Sequence, residues 1–138
     1  MKKILISLLI IIILAASGLY YYAFVYMKNR KVDMEKAEAM RVTAVDLVKD
    51  FQTNEQSANA KYLDKILEVS GTVNATGSTQ MGEFTLTLAS EDPFAGVMAT
   101  MDTTTTASAA VNENITVKGY CKGFLSDVIL TSAVIMKK

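Results

Sequence analysis

The chain has 138 residues, with 14 Lys and Arg against 14 Asp and Glu, no His and one Cys. The single cysteine, Cys121, excludes an intramolecular disulfide. The absence of His removes His-containing zinc sites and the usual proton shuttle near neutral pH. Balanced charge disfavours a polyanion binder that works by bulk attraction.

The uncharged run Ile4 to Tyr26 comes first. It is longer than the roughly 20 apolar residues a helix needs to cross a bilayer. Lys2 and Lys3 precede it, Ile4 to Leu19 is its aliphatic part, and Tyr20, Tyr21, Tyr22, Phe24 and Tyr26 crowd its far end. Amphipathic rings at that end suit the headgroup level, so Tyr20, Tyr21, Tyr22 and Tyr26 are the expected interface residues of an N-terminal transmembrane anchor over residues 1–26. Ala15-Ala16-Ser17 offers a rival cleavage site, but the apolar run continues past it. No Cys follows the run to carry a lipid. A short basic head ahead of an early apolar run favours the amino terminus inside and the remainder on the extracytoplasmic side, although Lys28, Arg30 and Lys31 make the charge rule nearly a tie.

Residues 27–42 are expected as a juxtamembrane linker or helical stalk, leading to a domain over residues 43–138. Thr43 with Asp46 marks a helix start, a side-chain oxygen to cap and an acid in the first turn. Helical spacing of Val45, Val48 and Phe51, with Ala44 and Leu47, carries a helix over Ala44 to Gln52, and a second short helix covers Glu55 to Tyr62.

From Ile66 the period changes to alternation. Alternating strands are expected at Ile66 to Val73, Phe84 to Leu88, Val97 to Met101 and Ile115 to Lys122, and a fifth, nearly continuously apolar, at Val128 to Met136, with Gly71 marking a bulge or bend. Asn74 to Gln80, Ser90 to Phe94, Thr103 to Ala110 and Gly123 to Ser126 read as loops. A mainly β, five-stranded OB-type Greek-key barrel, preceded by one or two short α-helices, fits this order; a generic five-stranded barrel or sandwich fits the periodicity equally.

Two segments bear on that choice. Asn54 to Tyr62 followed by Lys65-Ile66-Leu67-Glu68-Val69-Ser70-Gly71-Thr72-Val73 is similar to the entry of the tRNA-anticodon-binding-like OB family. Val117-Lys118-Gly119-Tyr120-Cys121-Lys122-Gly123-Phe124-Leu125 with Asp127 to Leu130 resembles its closing hairpin. The resemblance covers roughly Thr43 to Ile135 and implies the fold, with many relatives secreted or membrane-anchored; it implies no activity. Where such proteins often turn on a Gly before the fourth strand, this chain has Asn112-Glu113-Asn114, and Asn tolerates a left-handed backbone. Where some relatives carry a second Cys, this chain has Ala133, which leaves Cys121 as a small buried side chain.

OB folds take ligands across the second and third strands. The outward positions here, Glu83, Thr85, Thr87, Met98 and Thr100, are neither basic nor aromatic, a poor oligonucleotide platform. The alternative face is Lys118, Tyr120 and Lys122, a cation–aromatic–cation row on the fourth strand that also reads as an ordinary solvated face. Glu91-Asp92 is too small a cluster for a calcium loop. The expectation is therefore a non-enzymatic module with no catalytic residues, metal or cofactor. It would bind an envelope protein, peptide or glycan; the alternative is a nucleic-acid-binding module facing the cytoplasm.

Overall fold

The computed structural model describes residues 2–26, 33–102 and 108–136, the side chains of residues 2–5, 7, 9, 25 and 26 excepted. The chain divides into two compact units, Met1–Asp33 and Met34–Lys138.

The first unit is α1, Lys2–Tyr21, followed by a π-helical turn over Tyr22–Tyr26. Its described side chains are exposed on all sides, including Ile10 to Leu14 and Tyr20 to Tyr22, and Tyr20 stacks on Phe24 with ring centroids 5.4 Å apart. The regular spanning helix expected over the whole run is not found. A 20-residue helix rises about 30 Å, but α1 includes Lys2 and Lys3 at one end and Tyr20 and Tyr21 at the other, and helical geometry changes at Tyr22. Among the described residues no helix is long and apolar enough to cross a membrane. The Tyr26 side chain lies outside the described residues.

The second unit has the order β1 (Met40–Thr43), α2 (Ala44–Thr53), α3 (Glu55–Tyr62), β2 (Ile66–Ser78), β3 (Phe84–Ala89), β4 (Gly96–Met101), β5 (Asn114–Phe124) and β6 (Val128–Met136). Strands β2 to β6 close into a five-stranded barrel in the order β2-β3-β4-β6-β5, with β5 returning to β2. β4 and β6 run parallel and the remaining barrel pairs antiparallel, which is OB connectivity.

Both helices begin on side-chain caps. The Thr43 hydroxyl accepts from the Asp46 N–H at 3.1 Å, and the Asn54 carbonyl oxygen Oδ1 accepts from the Ser57 N–H at 2.9 Å. The buried face of α2 (Ala44, Leu47, Val48, Phe51) packs into one end of the barrel, joining Leu67, Val69, Leu86, Leu88, Val97 and Leu130 in a single core. Phe51 sits between Tyr62 and Phe124, with centroids at 6.0 and 5.9 Å.

Three expectations are corrected. Met40–Thr43, of which the first three residues lie in the stretch expected as linker or stalk, is a strand parallel to β2, Met40 opposite Leu67 and Thr43 opposite Ser70. β3 pairs with β2 only from Val73 onward, so β1 covers the edge of β2 that β3 leaves bare. Second, β2 continues to Ser78 through the expected loop, and its register shift falls between Val73 and Ala75 instead of at Gly71. Gly71 is instead a close-packing site, since a Cβ there would lie 3.0 Å from the Ala44 Cβ and 3.3 Å from the Leu88 Cβ. Third, Gly123 and Phe124 belong to β5, the glycine at φ 104. Asn112 takes the expected left-handed backbone, φ 71. Of the Thr103 to Ala110 run, residues 103–107 lie outside the described residues.

Candidate functional site

The outer face of β3 and β4 pairs Thr85 with Thr100 and Thr87 with Met98, all half-buried. It presents hydroxyls and a thioether, with neither the stacking rings nor the cations that hold single-stranded nucleic acid.

The Lys118–Tyr120–Lys122 row is not presented as a row. Lys118 is only 5% exposed, and its Nζ donates to the Glu35 carbonyl at 3.2 Å. The stem of a lysine covers apolar surface readily, and here its charged end is committed to the segment that leads into β1. Tyr120 is half-buried, and a register shift separates it from Lys118 along β6. Lys122 is exposed and its Nζ donates to Asp64 at 2.8 Å, the contact that raises its pKa. Lys118 is thus committed to the Glu35 carbonyl and Lys122 to Asp64, with Tyr120 near Lys122.

Cys121 is fully buried beside Leu130, its partner across the β5–β6 ladder, and burial pushes its thiol pKa up. A thiol held protonated and shut off from solvent is inert. Native protein at pH 8 is expected to react with a maleimide at the rate of global unfolding, while protein in denaturant reacts at once; rapid labelling of native protein would contradict this burial.

A different concavity is built from residues distant in sequence. A groove of about 670 Å³ is lined by Met40 to Thr43 of β1, Asp46 and Asp50 of α2, Lys61 and Tyr62 of α3, and Glu68, Ser70 and Thr116 of the barrel wall. β1 forms one rim. Among the described strands it pairs with β2 alone, so its second edge is unpaired.

The groove is polar, and its charges are matched within it. Arg41 Nε lies 3.2 Å from Glu68 Oε1. Asp50 Oδ2 accepts from the Tyr62 hydroxyl at 2.6 Å and from Lys61 Nζ at 3.0 Å, and the same ammonium sits 4.6 Å from the centre of the Tyr62 ring. Thr43 donates its hydroxyl to Asp46 at 2.7 Å. The Tyr62 hydrogen bond, then Lys61, holds the Asp50 carboxyl below the ordinary 3.8. Burial, then the carboxylate, raises Tyr62 above 10.0.

The signs of these shifts fix a pH window. A carboxyl whose folded pKa is depressed stabilises the fold above its unfolded value, and that contribution fades as pH falls through the folded one. A phenol whose folded pKa is raised contributes below its unfolded value and loses that contribution as pH rises through the folded one. Acidification below 3.8 is therefore expected to cost the native protein a small increment of stability that Asp50→Asn lacks, measured by urea unfolding. Identical acid limbs in the two proteins would contradict the pairing. The increment is small because both Asp50 and Lys61 are largely solvent-accessible.

Of the Glu91-Asp92 pair, Asp92 braces its loop. The Asp92 carboxylate accepts from the Phe94 N–H at 2.8 Å and from Gln52 Nε2 at 2.7 Å, contacts that lower its pKa. Among the described residues no group of three acids or cysteines converges on a metal position.

Sequence reasoning found Thr43 and Asp46 as a helix cap and missed them as groove residues. A strand at Met40–Thr43 was the missing signal, since only its pairing with β2 brings Arg41 to Glu68.

A family model described as tRNA_anti-like matches residues 1–135 of the chain. A solved structure of a candidate nucleic acid-binding lipoprotein from Klebsiella pneumoniae superposes with a TM-score of 0.60 at 17% identity, covering 78% of this chain and 100% of that one. At that identity the likeness shows the fold. No curated protein matches the chain.

Proposed function

Because the chain belongs to the tRNA_anti-like family, we propose that it is a non-enzymatic OB-fold binding module, held at a membrane of the cell envelope by its N-terminal segment. Its ligand is an extended peptide segment of an envelope protein, laid along the open edge of β1. The observation that carries this is the unpaired β1 edge beside a groove lined by hydroxyls and by charges of both signs. Main-chain hydrogen bonding to a sheet edge gives affinity, and alternate side chains entering a neighbouring groove give selectivity. A glycan is favoured less, because the Tyr62 ring is buried and offers no stacking face. Catalysis finds no support in a groove whose carboxylates and cations are engaged with one another.

Attachment rests on the first unit. Its aliphatic side chains are exposed all round, so there is no polar face to leave in water, and lipid is the natural cover. The family match begins at residue 1 and includes this segment. Lys2 and Lys3 ahead of it, and the lipoprotein description of the structural neighbour, favour the extracytoplasmic side for the domain.

A second reading is nucleic-acid binding from the cytoplasmic side, and only the nucleic acid-binding part of the neighbour's description favours it. It predicts that Tyr120→Ala weakens binding of a single-stranded oligonucleotide and that affinity falls steeply with salt.

The test is selection of peptides from a displayed random library on the full chain in lipid nanodiscs, followed by titration against Arg41→Glu and Lys61→Glu. Selected peptides are expected to lose affinity in both variants and keep it in Lys122→Glu. Equal loss in all three, or no peptide selected, would refute the groove. Retention of the chain in alkali-washed membranes tests the attachment, and its release would refute that part.

A further inference from the structure

The strand that forms the rim of the groove sets out two charges at a fixed spacing. Arg41 and Thr43 alternate along β1, so they lie on one face of it, in register with Glu68 and Ser70 of β2. Val42, between them, packs on the barrel core from the opposite face. Two residues along a strand span about 6.6 Å. The Thr43 hydroxyl donates to Asp46 Oδ2 at 2.7 Å, which fixes the Asp46 carboxylate beside the second position. The rim thus carries a cation at one end and an anion at the other.

Both charges keep capacity for a ligand. Arg41 makes no ion pair or hydrogen bond other than its contact with Glu68 among the described residues, and its side chain is 84% exposed. Most of the guanidinium therefore faces solvent, and its planar fork is shaped to take a carboxylate bidentately. Asp46 is exposed, and its carboxylate has the Thr43 hydroxyl but no cation among the described residues. Asp50 and Lys61, by contrast, are closed on each other and on Tyr62. Three carboxylates, Asp46, Asp50 and Glu68, line the groove against two cations, Arg41 and Lys61. The carboxylate left without a cation is that of Asp46.

We propose that the groove selects peptide segments carrying an acidic and a basic residue two positions apart, the acid on Arg41 and the base on Asp46. The inference rests on the peptide reading of the groove. A segment laid on the open edge of β1 continues the sheet, so its alternate residues fall opposite Arg41 and Thr43 at the spacing of the rim. Opposite charges facing each other across a strand pair stabilise the pairing, and like charges oppose it. A segment with two acids or two bases at these positions meets one attraction and one repulsion, and a neutral segment meets neither. The order of the two residues sets the direction: acid before base lies parallel to β1, base before acid antiparallel.

Sequencing the peptides selected on the full chain in nanodiscs separates this rule from the reading beneath it. They are expected to carry an acid and a base at i and i+2 more often than the starting library, mostly in one order. Selected peptides that shift the amides of Met40 to Thr43 yet lack that excess would overturn the charge rule and leave peptide binding at the edge standing. Failure to select any peptide would overturn both. Charge exchange is the second readout. Arg41→Glu is expected to lower the affinity of a selected peptide about fivefold or more. Replacing that peptide's acid by Lys should restore affinity in the variant and weaken it in the parent. Asp46→Asn keeps the backbone N–H that caps on Thr43 and should cost roughly two- to fivefold, a loss that vanishes when the peptide's base is replaced by Gln. A loss in Arg41→Glu that the exchanged peptide does not recover, at an unchanged thermal midpoint, would overturn the rule.

Discussion

Phe51→Ala is expected to lower the stability of the domain by about 3–5 kcal/mol, the range for emptying a buried aromatic site. Phe51 is 2% exposed and joins three elements, α2 through its own backbone, α3 through Tyr62 and β5 through Phe124. Truncation leaves a cavity between two rings that are themselves pinned, Tyr62 by its hydroxyl on Asp50 and Phe124 by the strand. Partial collapse therefore leaves most of the space unfilled, and the loss is expected at the upper part of the range. Domains of this size have roughly 5–15 kcal/mol in all, so the variant is expected to unfold well below the parent midpoint in urea. Leu125→Ala, an exposed change, should stay within about 0.5 kcal/mol. A shift for Phe51→Ala no larger than that of Leu125→Ala would mean that α2 does not plug the barrel as described.

Gly96→Ala carries the second large effect, by the opposite mechanism. A Cβ at position 96 would lie 2.6 Å from the Leu88 carbonyl oxygen and 2.8 Å from Thr87 Cγ2. The carbonyl belongs to the β3–β4 ladder, where Ala89 is opposite Gly96, and cannot swing aside as a side chain would. Overpacking of this kind costs typically about 1–3 kcal/mol, and the backbone contact puts Gly96→Ala at or above the top of that range. Displacement would also strain the Asp127 bond to the Gly96 N–H, loosening the β3–β4 loop that carries Phe94. Thermal unfolding followed by circular dichroism measures the loss; a midpoint unchanged from the parent would show that the strands sit farther apart than described.

Legibility in the sequence followed the range of the interaction. Local signals were readable: the Thr43 cap, the α2 stripe apart from Val45, which the structure leaves half-buried, the α3 bounds, the alternation in β3 to β5 and the apolar run of β6 all follow from nearest-neighbour chemistry. β1 was not, because Met-Arg-Val-Thr is four residues long and owes its extended backbone to pairing with Leu67 to Ser70. The last part of β2, Asn74-Ala75-Thr76-Gly77-Ser78, has loop composition and becomes strand through its ladder to β3. Lys118 was correctly placed on the strand, yet its burial depends on the turn at Met34 to Lys36, which no periodicity in β5 encodes. The groove failed to appear for the same reason, since Arg41, Asp50, Lys61, Glu68 and Thr116 meet only in the folded domain.

The central claim is that ligand binds beside the β1 edge and not on the β5 face. Amide chemical-shift mapping of the full chain in nanodiscs tests it most directly, with a library-selected peptide and a mixed-sequence single-stranded oligonucleotide as the two probes. Shifts confined to Met40 to Thr43, Asp50, Lys61 and Glu68 on adding the peptide, with none from the oligonucleotide at about 0.15 M salt, are the predicted result. Oligonucleotide shifts at Tyr120, Lys122 and the Thr85 to Thr100 face that persist at that salt would contradict it.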